Sequence, residues 1–310
     1  MLPRLIPGNP LAMVVFRLTQ GSGANPEQLR DVERALISQF NFDKPLHEQF
    51  IQYMLGLLRG DLGKSIIFYP LDVSTIISIY LPWTLLLMIP AIVAAWLVGN
   101  LIGTLAAMNR GKLVDKIWLP LMMILHSIPP YIFAMYLLLL FAVYLKILPT
   151  GGGWPPNMVP SLTPEFIAAY LRHYALPFLS IFLASLGGWG LSMRNIALQE
   201  ISTDYMDYLR VLAVSGRKTM KYLFRASSLP QVVGLAIVLG WSISGSVITE
   251  IVFNYPGLGT LLWRAIQSQD FPLIQGIFII LIGAIITANF VSELIFAIID
   301  PRVRRVYVGE

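Results

Sequence analysis

Of the 310 residues, 56% are hydrophobic and only 13% charged, with a mean hydropathy of +0.69. Soluble domains carry roughly a quarter charged residues, so an ordinary soluble protein is excluded, and apolar runs of about 20 residues indicate membrane helices, not barrel strands. The net charge of +5 would suit nucleic acid, but the basic residues flank the apolar runs, as topology requires. The chain has no cysteine, which removes disulfides, thiolate chemistry and cysteine-bound metals. Its three histidines, His47, His126 and His173, are too far apart for a metal site within one segment.

Residues 1–80 contain no span. Leu2 to Pro10 is broken by three prolines and a glycine. Asn25-Pro26 reads as an N-cap with proline at the first helical position, opening a polar helix from about Glu27 to Phe40. Leu46 to Arg59 reads as an amphipathic helix with Phe50, Tyr53, Met54 and Leu57 on one face. Seven basic and seven acidic residues balance across this region, as expected of an extracytoplasmic flank.

Five spans follow. The first, Leu81 to Met108, contains Pro82 and Pro90. A short basic loop, Asn109 to Lys116, leads to the second, Ile117 to Leu145, with Pro120 and Pro129-Pro130. The loop Lys146 to Arg172 has a triple glycine at 151–153 and few charges, and is expected outside. The third span is Tyr174 to Met193, where Gly187, Gly188 and Gly190 permit close helix approach. The fourth is Leu229 to Ile251. An outer segment, Val252 to Phe271, holds the turn Tyr255-Pro256-Gly257-Leu258-Gly259, and the fifth span is Pro272 to Ile299. Residues 300–310 form a basic tail with Arg302, Arg304 and Arg305. Five spans that start outside end inside, and all three basic segments then fall on the cytoplasmic side. The chain shows no secretory signal. Its N-terminal region would have to cross without a leading span, so the sequence predicts an earlier transmembrane helix that is missing here.

Between the third and fourth spans lies the most charged inter-span segment, Asp204 to Pro230. Tyr205, Tyr208, Leu209 and Leu212 fall at i, i+3, i+4 and i+7, which predicts a short amphipathic helix. A turn is expected at Ser215-Gly216, then a second, basic helix running to Pro230. Two readings stand on pattern alone: a helix–turn–helix offered to a cytosolic partner, or a solvated loop that only sets topology.

Segments spread over nearly the whole chain carry a family likeness. They include Leu5-Ile6-Pro7-Gly8-Asn9-Pro10, Gly60-Asp61-Leu62-Gly63-Lys64-Ser65, Leu101 to Lys116, and Ser127 with Pro129. The most specific are Gly245 to Gly259 and Asp300-Pro301-Arg302-Val303-Arg304. The chain resembles a permease subunit of an ATP-binding-cassette importer of the dipeptide/oligopeptide/nickel class. The resemblance implies an all-α, polytopic type I importer permease fold with normally six spans. It divides the chain into an extracytoplasmic region 1–80, a transmembrane domain 81–299 with a cytoplasmic coupling loop 194–228, and a cytoplasmic tail 300–310.

The resemblance also assigns the ATPase-coupling helix. It comprises Asp204, Tyr205, Tyr208, Leu209, Arg210, Leu212, Ala213, Val214, Ser215, Gly216, Arg217 and Lys218. Arg210 matches the family's loop, but Ala213 stands where glycine is usual and Leu212 where lysine is usual. Ser127, Pro129, Glu250 and Asn254 are candidates for the pathway or a gate. The implied partners are a second homologous permease, two ATP-binding subunits, an extracytoplasmic substrate-binding protein and membrane lipid, with no nucleic acid. ATP and magnesium would sit on the ATPase subunits, since this chain has no Walker A pattern, no G-x-S-x-G and no histidine metal signature. Peptides are the default substrate and oligosaccharides the alternative. The other classes weighed are a secondary transporter, disfavoured by the scarcity of charge within the spans, and a non-transporting scaffold. Six tryptophans, at 83, 96, 118, 154, 241 and 263, read as interface anchors. Asn289 and Glu293, one turn apart in the last span, read as partners for interhelical hydrogen bonds.

Overall fold

The structure, a computed structural model, describes residues 43–299 except 246, together with 34, 35, 37, 38 and 40. For 241–245 and 295–299 it describes the backbone alone. The segments 1–33 and 300–310, including the first half of the polar helix expected from Glu27, lie outside the described residues.

Among the described residues the α-helices with defined bounds are, in order, α1 (Leu46–Leu58), α2 (Val73–Met108), α3 (Leu113–Ser127), α4 (Pro130–Leu137), α5 (Pro164–Ile201), α6 (Asp204–Val211), α7 (Gly216–Gly245), α8 (Val247–Val252), α9 (Leu258–Gln267) and α10 (Phe271–Ile299). A π-helical turn, Leu138–Tyr144, continues α4. Among the described residues four helices are long and apolar enough to cross a membrane. The bent pair Leu113–Ser127 and Pro130–Tyr144 makes a fifth if counted as one span.

Prolines affect these helices unequally. Pro120, Pro177 and Pro230 sit inside continuous helices, and α2 runs unbroken through Pro82 and Pro90. Among these prolines, the tandem in Ile128-Pro129-Pro130 is where the helix breaks. A residue before proline is pushed out of the helical region, and two successive prolines make this happen twice. Ile128 is extended (φ −97°, ψ 119°) and so is Pro129 (φ −59°, ψ 146°). The axis turns by 97° there.

Several boundaries differ from the sequence expectation. The first span begins eight residues before Leu81, at Val73. The third span begins ten residues early, at Pro164, because Thr163 caps it by accepting from the Phe166 N–H, with proline at the first position. It also continues inward to Ile201. The basic helix after the turn and the fourth span are one helix, α7, since Pro230 is accommodated within it. The outer segment 252–271 contains its own helix, α9, with Leu258, Leu261, Leu262 and Ala265 buried.

The chain divides into two compact units, 1–83 with 257–282, and 84–256 with 283–310. In the first, Asp270 caps α10 by accepting from the Leu273 N–H at 3.1 Å. Its other oxygen accepts from the Ser65 hydroxyl and from the Ile67 N–H at 2.9 Å. Burial pushes this carboxyl above its ordinary value. Lys64 and Asp72 close the loop between with an exposed pair at 2.9 Å.

In the second unit, glycines set the helix spacing. Gly99 and Gly103 of α2 lie against Gly190 of α5, where an added Cβ would collide. A Cβ on Gly187 would stand 2.5 Å from the His126 backbone nitrogen of α3. This small-residue packing is expected of membrane helices. The Trp96 indole N–H donates to the Gln231 carbonyl at 3.0 Å, joining α2 to α7.

Candidate functional site

The elbow between α5 and α7 is built in three pieces. Helix α6 carries Asp204, Tyr205, Tyr208, Leu209 and Arg210. A turn carries Leu212, Ala213, Val214 and Ser215. The first turn of α7 carries Gly216, Arg217 and Lys218. The acids Asp204 and Asp207 in the first turn of α6 and Arg210 in its last complement the helix dipole. Asp207 and Arg210 also pair at 2.6 Å, but both side chains are exposed, so the pair contributes little.

The turn after α6 has a specific geometry. The Val214 N–H donates to the Leu209 carbonyl at 3.1 Å and the Ala213 N–H to the Arg210 carbonyl at 3.0 Å. This is the Schellman pattern, whose pivotal residue is left-handed and usually glycine. Ala213 occupies that position with φ +51°.

Two stripes run along α6. Met206 is 2% exposed and forms a small core with Ala107 of α2, Ala197 of α5 and Leu223 of α7. Leu209 packs against the same cluster. On the other side Tyr205 (41%), Tyr208 (64%), Val211 (82%) and Leu212 (55%) present aromatic and aliphatic surface to the outside. The i, i+3, i+4, i+7 pattern groups Leu209 with Tyr205, Tyr208 and Leu212, but Leu209 packs inward, and the pattern includes neither Met206 nor Val211. Tyr205 donates its hydroxyl to Glu200 at 2.7 Å. Burial, and then the neighbouring carboxylate, pushes that hydroxyl up to about 12, so it stays protonated.

Behind the elbow, Arg194 of α5 holds Asp115 at the root of α3 with two bonds, Nε to Oδ1 at 2.7 Å and Nη2 to Oδ2 at 2.9 Å. The Gly111 N–H donates to the same carboxylate at 3.0 Å. Both side chains are largely buried.

The pathway candidates divide between two places. Ser127 and Pro129 line an open cleft of about 510 Å³ at the broken span. Ser185, Gly188, Trp189 and Ser192 of α5 form its opposite wall, and Val238 of α7 adds to it. The Ser127 hydroxyl donates back to the Met123 carbonyl at 2.8 Å.

Glu250 and Asn254 are not part of that cleft lining. Glu250 is buried in α8, and its carbonyl accepts from the Tyr255 N–H at 2.8 Å. Asn254 is left-handed, φ +45°, a conformation asparagine tolerates. The triple glycine packs onto this corner: the Gly152 N–H donates to the Phe253 carbonyl at 2.7 Å. Tyr170 and Tyr255 share a hydroxyl contact at 2.8 Å, and His173 Nδ1 meets the Gly151 carbonyl at 2.9 Å. Burial, first, and then Tyr170 hold the Tyr255 hydroxyl far above its ordinary value. This corner is a fixed assembly of loop against helix.

The family described as the binding-protein-dependent transport system inner membrane component matches residues 99–305. A putative peptide permease protein of Brucella suis is 30% identical over 307 residues, covering 98% of this chain and 92% of that protein. The probable D,D-dipeptide transport system permease protein of Escherichia coli is 30% identical, over 98% of this chain and 91% of its own length. The glutathione transport system permease protein of Salmonella choleraesuis is 31% identical, over 97% and 90%.

Proposed function

The chain belongs to the family of binding-protein-dependent transport system inner membrane components, and from that premise we propose that α6 and its turn are where a separate ATP-hydrolysing subunit docks. It is a multi-pass permease subunit of an ABC importer in the dipeptide/oligopeptide class. In our reading two ATP-binding subunits hold ATP and magnesium, a second permease completes the pathway, and a binding protein delivers substrate from outside. The basic elbow and the tail then face the cytoplasm. The region 1–80 faces outward.

One observation carries the docking assignment. Helix α6 keeps Met206 and Leu209 for the interior yet leaves Tyr205, Tyr208, Val211 and Leu212 exposed. Exposed aromatic and aliphatic residues grouped on a short helix mark a protein interface. Arg217 and Lys218, exposed beside it, would fix orientation by charge. ATP-driven closure of the partner subunits would push α6 as a rigid body, and the packed helices behind it would follow.

The cleft at Ser127 and Pro129 is our choice for the pathway, because an interrupted helix in a membrane is tolerated where it lines a cavity. Glu250 and Asn254 serve as structural support for the outer corner. Short peptides are the substrate we favour over oligosaccharides, since the three relatives described above are named for peptides, D,D-dipeptides and glutathione.

The test is co-purification. Tyr208→Ala combined with Leu212→Ala should leave the permease in the membrane and lower the amount of ATP-binding subunit recovered with it roughly tenfold or more. Undiminished recovery would refute docking at α6. Separately, ATP turnover in the reconstituted assembly should rise with binding protein loaded with a dipeptide and not with an oligosaccharide; the reverse would overturn the substrate assignment.

A further inference from the structure

The proposed docking helix leads directly to the paired Arg194 and Asp115. Met206 and Leu209 of α6 rest on Ala197, Leu198 and Ile201, the last two turns of α5. Arg194 lies one turn further along the same helix and grips Asp115 at the first turn of α3. The two-pronged geometry resists rotation as well as separation, which a single bond would not. The Gly111 N–H on the same carboxylate ties down the loop that enters α3.

The far end of α3 is fastened too. Gly187 of α5 lies against the backbone of Met122, Leu125 and His126, so close that a Cβ there would overlap it. Gly190 lies against the Met122 side chain. Helix α3 is thus secured to α5 at both ends, roughly 16 Å apart along its axis. Helix α3 ends at Ser127, and the chain passes through the extended residues Ile128 and Pro129 before α4. A push on α6 that tilts the inner end of α5 has to carry α3 with it. The first joint it meets is at Ile128-Pro129, which borders the cleft.

We propose that the Arg194–Asp115 pair is a positioning element of transport, which fastens α3 to α5 so that movement of α6 is delivered to the bend at Ile128-Pro129 and reshapes the cleft. The proposal rests on docking of an ATPase at α6. Without the pair, the root of α3 would slip against α5, and nucleotide closure would be spent without opening the cleft.

The experiment uses the whole assembly, reconstituted with its ATP-binding subunits and binding protein, and measures substrate taken up per ATP hydrolysed. Removing one partner would leave a buried lone charge, which is strongly destabilising, so the main variant is the double Asp115→Asn, Arg194→Gln. The second is Arg194→Lys, which keeps the charge and loses the two-pronged grip. The expected result is unchanged recovery of the ATP-binding subunits and continued ATP hydrolysis. Uptake per ATP should fall roughly tenfold in the double variant and less in Arg194→Lys. An intact assembly with undiminished uptake per ATP in the double variant overturns the proposal and leaves docking at α6 standing. Loss of both variants from the membrane assigns the pair a role in folding only and also overturns it. An unaltered assembly that lacks an ATP-binding subunit overturns the docking reading and this joint together.

Discussion

At Ala213 the backbone and the side chain are in conflict. The Schellman turn needs a left-handed residue, Ala213 supplies it at φ +51°, and an L side chain there costs about 1–2 kcal/mol. Part of that is offset because glycine has more freedom to lose on folding. Ala213→Gly should therefore stabilise the protein by roughly 0.5–1 kcal/mol, seen as a small rise in the melting midpoint in detergent. A fall would show that the alanine methyl makes a contact worth more than the strain. Asp270 offers a second residue-scale test, in pH. Burial raises its carboxyl above the ordinary 3.8, so the folded chain holds that proton more tightly than the unfolded chain. The resulting stability is fully present below the unfolded value and is lost as pH rises through the folded one. The melting midpoint should therefore fall as pH rises from about 4, and Asp270→Asn should remove that part of the slope. Parallel profiles for the two proteins would refute it. Residue identity at the elbow was legible: the family likeness led to an expected glycine at the one position that proved left-handed. Which residues faced inward was not. Periodicity groups Tyr205, Tyr208, Leu209 and Leu212 on one stripe of α6 and cannot say which of them the neighbouring helices cover; the structure turns Leu209 inward beside Met206.

Among the elements, the existence of the helices could be read from the sequence, while several of their ends could not. Apolar length alone located the spans. It could not show that α5 starts at a capping Thr163, nor that α7 passes through Pro230 without stopping. A lone proline in a long helix loses one hydrogen bond that packing can repair. The tandem Pro129-Pro130 leaves two successive residues extended, and there the span breaks. Glycines give the sharpest test at this scale. Gly187→Leu forces a side chain into the backbone of α3, which belongs to the overpacking class of large effects. Folded protein should be largely lost from the membrane. Gly283 has nothing within 4 Å of an added Cβ, so Gly283→Ala should be neutral or gain up to about 1 kcal/mol from helix propensity. The contrast is read from monodisperse protein recovered in detergent. Equal recovery of the two would mean that α3 and α5 are not in close contact.

For the whole molecule, the composition, the order of spans and the family were legible, and the cleft was not. It is assembled from segments 46 to 111 residues apart in sequence: the break at Ser127-Pro129, the Ser185 to Ser192 face of α5 and Val238 of α7. Two of its residues, Ser127 and Pro129, were singled out, but Ser185, Gly188, Trp189 and Ser192 became recognisable only once α5 lay beside the break. A chain with no native cysteine allows a direct test of whether this cleft is the pathway. Single cysteines replacing Ser127, Ser185 and Ser192 would stand on its walls. One replacing Phe290, which is 64% exposed on α10, would serve as a control on an apolar helix face. Hydroxyl-bearing walls beside an interrupted helix imply water at membrane depth, and a thiol reacts with a charged maleimide only as the thiolate, which requires that water. If the cleft is the pathway, the three wall positions of the reconstituted assembly are labelled by a membrane-impermeant maleimide. Their rates change when a non-hydrolysable ATP analogue closes the partner subunits, and position 290 stays unlabelled throughout. Nucleotide-independent labelling at all three wall positions would make the cleft a static, wetted notch, and transport would have to pass along another face of the helices.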